Sequence, residues 1–317
     1  MLDECLAAVA GLNPVPGEVI VVVDGNDQAV AQSAKGRGFE TIILENAPGV
    51  SAARNAGAFR AKGKYILFLD SDVVPKRDHV AKAIAALRTQ AGAVAAFGCY
   101  DDSPAAPGVV SRYRNLLHHF THFHANRDAQ SFWAACGICD AEVFRQVGGF
   151  DETYRVPSIE DIALGYKLRR AGHRIALDPS WQVKHLKQWT WRDLVVTDIA
   201  RRAIPWTLLL LREGRLDNDL NIDTRSRWSA VLVALALVCV AGGFFSLWLL
   251  AVSSACLAGV IFLNRRFYHF LANRGGWFFA IRAVPLHLFY YLAALFGYAA
   301  ARVICFMRST RTSLFCQ

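Results

Sequence analysis

Three groups of residues have the types and spacing to do chemistry. Asp70 and Asp72 close the apolar run 64–69 (K-Y-I-L-F-L), and Asp24 closes another at 18–23 (E-V-I-V-V-V). Two hard carboxylates at the end of a buried strand can bind Mg2+ or Mn2+, and the ion can then hold a diphosphate. Arg54, in S-A-A-R-N-A-G at 51–57, can pair with a phosphate or a base, or can be an ordinary helix-surface arginine. Glu160 and Asp161 follow Pro157 and Ser158, so they fall in the first turn of a helix, where the dipole favours carboxylates and Ser158 can cap. If that turn faces a crevice, a carboxylate there can take a proton from a hydroxyl.

Three further clusters carry weaker signals. His118 and His122 stand four apart in R-Y-R-N-L-L-H-H-F-T-H-F-H at 112–124, a spacing that can bind zinc on a helix. The aromatic and basic content of that run suits an acceptor-side helix near lipid head groups better, with His118 and His119 as its candidates, and plain packing is the other reading. The stretch 189–206 reads as an amphipathic interface segment, where Arg202 and Trp206 can meet membrane and diphosphate. Cys136 and Cys139 (C-G-I-C) have no second pair at a zinc-site spacing, so buried thiols are expected. The eight cysteines are scattered without a disulfide framework, as in a reducing compartment.

The elements that must position these groups are legible as alternating patterns. After the strand at 18–23 come a helix at 28–37, a strand at 40–44, a helix at 49–61 capped by Ser51, and the strand at 64–69. Such alternation predicts a layered α/β domain. In open α/β sheets ligands sit beyond the carboxyl ends of the strands, so Asp24 and the Asp70 to Asp72 turn are expected to share one crevice.

The rest of the chain is of another kind. Among 317 residues, 35 Lys and Arg stand against 26 Asp and Glu, a net charge of +9. Residues 228–317 hold no acid and seven Arg, which leaves 28 basic against 26 acidic residues before them. A domain so nearly neutral argues against nucleic-acid binding, and the excess Arg suits anionic lipid heads. Residues 229–263 carry no charge, and 35 residues as one helix would reach about 52 Å against a hydrocarbon core of about 30 Å. Two helices turning near 242–246 fit better, with Arg225 and Arg227 before them and Arg265 and Arg266 after, all on the cytoplasmic side. Residues 283–301 are long enough to cross or re-enter, and 264–282 have the composition of an interfacial helix. A transporter is a poor fit, because the spans lack acids. The N-terminus has acids where an export signal needs basic residues, so no cleaved signal is expected.

The succession V-V-V-D-G at 21–25, S-A-A-R-N-A-G at 51–57, Y-I-L-F-L-D-S-D at 65–72 and G-G-F-D-E at 148–152, followed by Glu160 and Asp161, resembles family 2 glycosyltransferases of the GT-A fold. The resemblance covers roughly residues 4–211, and the tail is similar to that of membrane-anchored members. It implies a GT-A (Rossmann-like, nucleotide-binding) domain at 1–211, a juxtamembrane linker at 212–227, and at 228–317 a transmembrane helical region of two to three spans with an interfacial helix. It implies that Asp24 contacts the nucleoside, Arg54 lies near base and phosphate, Asp70 lies beside the ribose, and Asp72 binds a divalent Mn2+ or Mg2+. It also implies that Asp161, within the Glu160-Asp161 pair, is the base of an inverting reaction and that His185 completes the metal site. The donor is expected to be a nucleotide sugar, most simply a UDP-sugar. The acceptor is expected to be lipid-linked or glycan, and the location the cytoplasmic membrane, multi-pass, with the catalytic domain facing the cytoplasm.

One departure is clear. Relatives begin with a strand of the type V-S-V-I-I-P-x-Y-N before a helix similar to residues 2–9, and this chain starts at that helix, so the first strand is expected to be missing. Two alternatives follow: a non-catalytic membrane protein with a degenerate binding domain, or a transferase to polyprenyl phosphate, whose anionic oxygen needs no base.

Overall fold

A computed structural model of the protein describes residues 1–214 and 218–314. It divides into two compact units, Met1–Pro107 with His118–Gln188, and Gly108–Leu117 with Trp189–Gln317. The division falls earlier than the expected 211, so residues 189–211 group with the apolar tail.

The first unit runs α1 (Leu2–Ala10), β1 (Ile20–Asp24), α2 (Gln28–Lys35), β2 (Glu40–Leu44), α3 (Val50–Arg60), β3 (Tyr65–Leu69), β4 (Val73–Pro75), α4 (His79–Arg88) and β5 (Ala93–Tyr100). After them come α5 (Val109–His124), whose first half belongs to the second unit, then β6 (Asp128–Ala129), β7 (Cys136–Asp140), α6 (Ala141–Gln146), α7 (Glu160–Arg170) and β8 (Arg174–His185). Strand order in the larger sheet is β3-β7-β5-β8-β4, with β6 beside β8. Its centre is a parallel β5–β8 pair flanked by antiparallel neighbours. β5 is covered on both faces, with Ala95, Ala96 and Phe97 fully buried, and so its sequence is small or apolar without alternation.

Strands β1 and β2 form a separate parallel pair in register from Ile20 opposite Glu40 to Asp24 opposite Leu44. Among the described residues β1 pairs only with β2, and β3 only with β7. Side chains join the two sheets instead. Glu18 accepts from the Lys62 and Gly63 N–H groups at 2.6 and 2.9 Å, just ahead of β3. Helix α3 reaches both strands, with Gly57 against Val22 and Ile20 of β1 and Ala58 in the core with Phe68 of β3.

Aromatic rings fill that core. Phe68 meets Phe132 and Phe150 edge-on at 6.2 and 5.2 Å between centroids and packs on Phe144 at 5.4 Å. Helix α7 lies flush on the chain beside them, since a Cβ at Gly165 would run into the backbone of Ser131 and Phe132. Two expected helix caps fail. Ser51 lies inside α3, whose N-cap is Gly49, with φ 110° and no room for a Cβ against Arg155. Ser158 does not cap α7: the N-cap is Ile159, and the Ser158 N–H donates to Glu160 instead.

The second unit holds α8 (Trp191–Val196), opened by a Thr190–Asp193 capping box, a π-helical stretch Thr197–Ala203, and α9 (Ile204–Glu213). A 3-10 turn (Leu220–Ile222), α10 (Thr224–Gly242), α11 (Trp248–Leu263) and α12 (Arg265–Leu314) follow. The expected interfacial helix and third apolar stretch form one run, broken at Gly276 where φ is 79°. Part of the expected linker, residues 215–217, lies outside the described residues. Helix α10 and residues Arg265–Met307 of α12 are long and apolar enough to cross a membrane, and α11 is shorter. At the α10–α11 turn Phe244 and Phe245 are 93% and 92% exposed.

The ring cluster makes a prediction: Phe68→Ala leaves a cavity touching three other phenyl rings and should lower unfolding free energy by about 3–5 kcal/mol. Denaturant unfolding of the purified protein measures this, and a loss under about 1 kcal/mol would show that the rings do not act as one core.

Candidate active site

The expected crevice residues meet through Arg54. Its Nη2 donates to Asp70 Oδ1 at 2.7 Å and its Nη1 to Glu160 Oε1 at 2.6 Å, so one guanidinium joins the end of β3 to the first turn of α7. The side chains of Arg54 and Glu160 are 15% and 4% exposed. Burial works against the Arg54 charge, but Asp70 first, then Glu160 and Asp161, hold it firmly protonated. Glu160 uses its other oxygen to accept the Ser158 N–H at 2.7 Å. Asp161 accepts the Ile162 N–H at 2.8 Å and, more weakly, that of Ala134 at 3.4 Å. Next to Arg54, Asn55 donates to the Phe150 carbonyl and to Glu152, each at 2.9 Å, and accepts the Phe150 N–H at 2.9 Å. The G-G-F-D-E segment is thereby tied to α3.

A second pair stands two residues beyond Asp70. Asp72 Oδ2 lies 3.5 Å from His185 Nε2, and the pairing of Val73 with His185 across β4 and β8 fixes that approach. Burial works to raise the Asp72 carboxyl. The His185 hydrogen bond and charge, with Lys187 behind them, outweigh it and hold the group below the ordinary carboxylate range. An ionised carboxylate beside an imidazole is a fitting donor pair for Mn2+ or Mg2+. Among the described residues no group of three or more His, Cys, Asp or Glu is placed to hold an ion. Two protein donors leave most of a six-fold shell to substrate phosphate and water, the usual manner for these ions. Cys5 of α1 donates its thiol to the Asp70 carbonyl at 3.6 Å; burial, with Asp72 and Asp70 nearby, pushes it up to about 11, so it stays a neutral wall.

Asp24 lies on the smaller sheet, where it accepts the Gly49 N–H at 3.1 Å at the start of the helix that carries Arg54. His118 and His119 turn inward. His118 packs on Tyr100 at 4.3 Å and Trp133 at 4.5 Å, and His119 Nδ1 is 2.8 Å from the Tyr100 carbonyl. Arg202 and Trp206 belong to the second unit, in the π-helical stretch and α9. Cys136 and Cys139 sit in the β7 ladder, and burial pushes the Cys139 thiol up to about 12. Tyr100 went unnoticed in the sequence. Its signal was its place at the C-terminal end of a strand, the rule that singled out Asp24 and Asp70.

Beside acids at strand ends, an arginine that binds Asp70 and Glu160, and a helix that opens on Glu-Asp, the sequence profile of Glycosyl transferase family 2 matches residues 1–148. The match to glycosyl transferase family 2 spans just under half of the chain. Over 203 residues it is 28% identical to a pre-mycofactocin glycosyltransferase of Mycobacterium tuberculosis, covering 58% of this chain and 40% of that protein. It is 28% identical over 219 residues to a validoxylamine A glucosyltransferase of Streptomyces hygroscopicus subsp. limoneus, with 58% and 48% covered. The chain thus spans less than half the length of the curated relatives it matches. Among solved structures, a mannosyltransferase from Pyrobaculum calidifontis in complex with GDP-Man and Mn2+ superposes with a TM-score of 0.54 at 17% identity, over 94% of this chain and 83% of that one. The family 2 domain has a GT-A-like mixed α/β fold, followed by apolar helices.

In this family 2 domain, the buried Arg54–Glu160 pair predicts a thermodynamic asymmetry. Arg54→Met leaves buried carboxylates without their cation and should cost about 3–5 kcal/mol, whereas adding Glu160→Leu should return at least half of that loss. A double-mutant cycle by denaturant unfolding reads the coupling. Additive losses would show that the two side chains do not depend on each other.

Proposed function

We propose that this protein is a membrane-associated glycosyltransferase that moves a sugar from a nucleotide diphosphate sugar to a lipid-linked or glycan acceptor, with inversion. The observation that carries the reading is the Asp72–His185 pair two residues beyond the Arg54-bound Asp70. Asp70 and Asp72 follow the C-terminal end of β3 and His185 ends β8, and α/β folds hold ligands beyond the carboxyl ends of strands. The GDP-Man and Mn2+ of the Pyrobaculum calidifontis structure are in keeping with it.

Asp24 and Asp70 would face the nucleoside and ribose, most simply of a UDP-sugar. Asp72 and His185 would hold Mn2+ or Mg2+, whose charge neutralises the leaving diphosphate. Arg54, already committed to two carboxylates, keeps Asp70 and the start of α7 in place beside that donor. Asp161 is the acceptor-side group. Its carboxylate takes the hydroxyl proton as the acceptor oxygen bonds to the anomeric carbon and the bond from that carbon to the diphosphate oxygen breaks on the opposite face. The Arg residues flanking the apolar helices support attachment to the cytoplasmic membrane with the catalytic domain on the cytoplasmic side. Arg202, which is half-buried, suits contacts with lipid or a lipid-linked acceptor, whereas Trp206 is buried.

Two measurements test this reading. Calorimetry of detergent-purified protein with UDP, GDP and dTDP should show binding to one nucleotide that needs Mn2+ and is lost in Asp72→Ala; no binding of any of them would favour a non-catalytic domain. With a hydroxyl acceptor, Asp161→Asn should lower kcat by about 10²–10⁴-fold and leave donor affinity within about twofold. A loss below about tenfold would remove Asp161 as base and favour an anionic acceptor such as polyprenyl phosphate.

A further inference from the structure

A histidine that ligates a metal generally donates its second ring nitrogen to a carboxylate, carbonyl or water, and that bond fixes the ring. Among the described residues no hydrogen bond reaches Nδ1 of His185. The ring is fixed by another means. Tyr100 lies flat on it, with centroids 4.0 Å apart and planes 10° from parallel. Tyr100 is held in turn from several sides. It ends β5 opposite Val183 in the parallel β5–β8 ladder, two residues before His185. Trp133 meets it edge-on at 4.8 Å and 85°, and His118 packs on it at 4.3 Å. Helix α5 clamps the backbone beneath, with His119 Nδ1 at 2.8 Å from the Tyr100 carbonyl and His122 Nδ1 at 3.2 Å from that of Gly98.

We propose that Tyr100 is a positioning residue that sets the plane of the His185 imidazole and so aims Nε2 at the cation shared with Asp72, with the α5 histidines and Trp133 as its backing. The proposal rests on the metal reading of Asp72 and His185 given above. A stacked ring leaves rotation about the Cβ–Cγ bond one allowed plane, because any other drives the imidazole edge into the phenol at 4 Å. The phenol thereby supplies the orientation that a hydrogen bond to Nδ1 supplies elsewhere. This also gives the histidine-rich run of α5 a use: its imidazoles bind strand carbonyls and a tyrosine ring rather than zinc or an acceptor.

The test measures Mn2+ affinity, by the electron paramagnetic resonance signal of free Mn2+, on detergent-purified protein with the nucleotide that binds. Tyr100→Leu should weaken Mn2+ binding about 10–100-fold, the range for outer partners of metal ligands, and Tyr100→Phe, which keeps the stack, should stay within about twofold. In a His185→Ala background Tyr100→Leu should add nothing, because its only route to the ion is gone. Tyr100→Met, of similar volume, serves in place of Leu if that variant unfolds. Tyr100 has no such role if His185→Ala weakens Mn2+ binding while Tyr100→Leu and Tyr100→Met do not, or if their effects persist undiminished in the His185→Ala background. If His185→Ala itself leaves Mn2+ affinity unchanged, the metal reading of His185 fails and the proposal with it.

Discussion

The first unit is organised by one buried cation. Arg54 gives two nitrogens to two carboxylates that are 90 residues apart in the chain, Asp70 and Glu160. A single Lys ammonium could not make both contacts at 2.6–2.7 Å with the same planar geometry, and a guanidinium is the less strongly hydrated ion to bury. Once it is buried, α3, the end of β3 and the first turn of α7 have to converge, since removing any one leaves a charge in a low-dielectric setting. Asn55 extends the constraint by occupying the backbone of Phe150 on both its N–H and its carbonyl. S-A-A-R-N-A-G, the strand end at Asp70 and the Glu160-Asp161 pair are therefore parts of a single interaction network.

That view explains what was legible in the sequence and what was not. β2 was readable to the residue, and β1 and β3 to within two, because a buried strand needs an uninterrupted apolar run bounded by polar turns. The strand-end acids followed from that reading. The Ser51 cap failed because the chain before α3 takes a positive φ at Gly49 and lies against Arg155, a contact between residues about 100 apart. The α5 histidines could be placed on a helix, but which side faces a strand is a tertiary fact. Spacing at i and i+4 fits a zinc site and a ring stack equally well, and Tyr100 decides between them. The π-helical stretch left no pattern in composition to read.

Among the described residues no ladder joins the β1–β2 pair to the larger sheet, so other contacts hold them together. Backbone pairing contributes nothing across the gap between β1 and β3. The work falls to Glu18 at one end, to α3 across the face, and to the Asp24–Gly49 bond at the ligand end. Side-chain links of this kind are fewer and individually modest, on the order of 1 kcal/mol each, so the β1–β2 pair is held less firmly than the six-stranded sheet. Local stability therefore differs across the site. The Asp24 side rests on the weaker pair, and Asp70, Asp72 and Asp161 rest on the stronger core.

The second unit links its helices through buried polar side chains. Asn264 donates to Ser229 Oγ at 3.0 Å and accepts from the Tyr291 hydroxyl at 3.1 Å, linking α10 to α12. Arg114 of α5 pairs with Asp198 of the π-helical stretch at 2.7 Å, and both are buried. Phe244, Phe245, Leu247 and Trp248, by contrast, stand 79–93% exposed at the α10–α11 turn. Large apolar side chains left exposed together mark a surface for a partner or a membrane. The uncharged run between Arg227 and Arg265 lies wholly in this hairpin, which fits the membrane attachment proposed above.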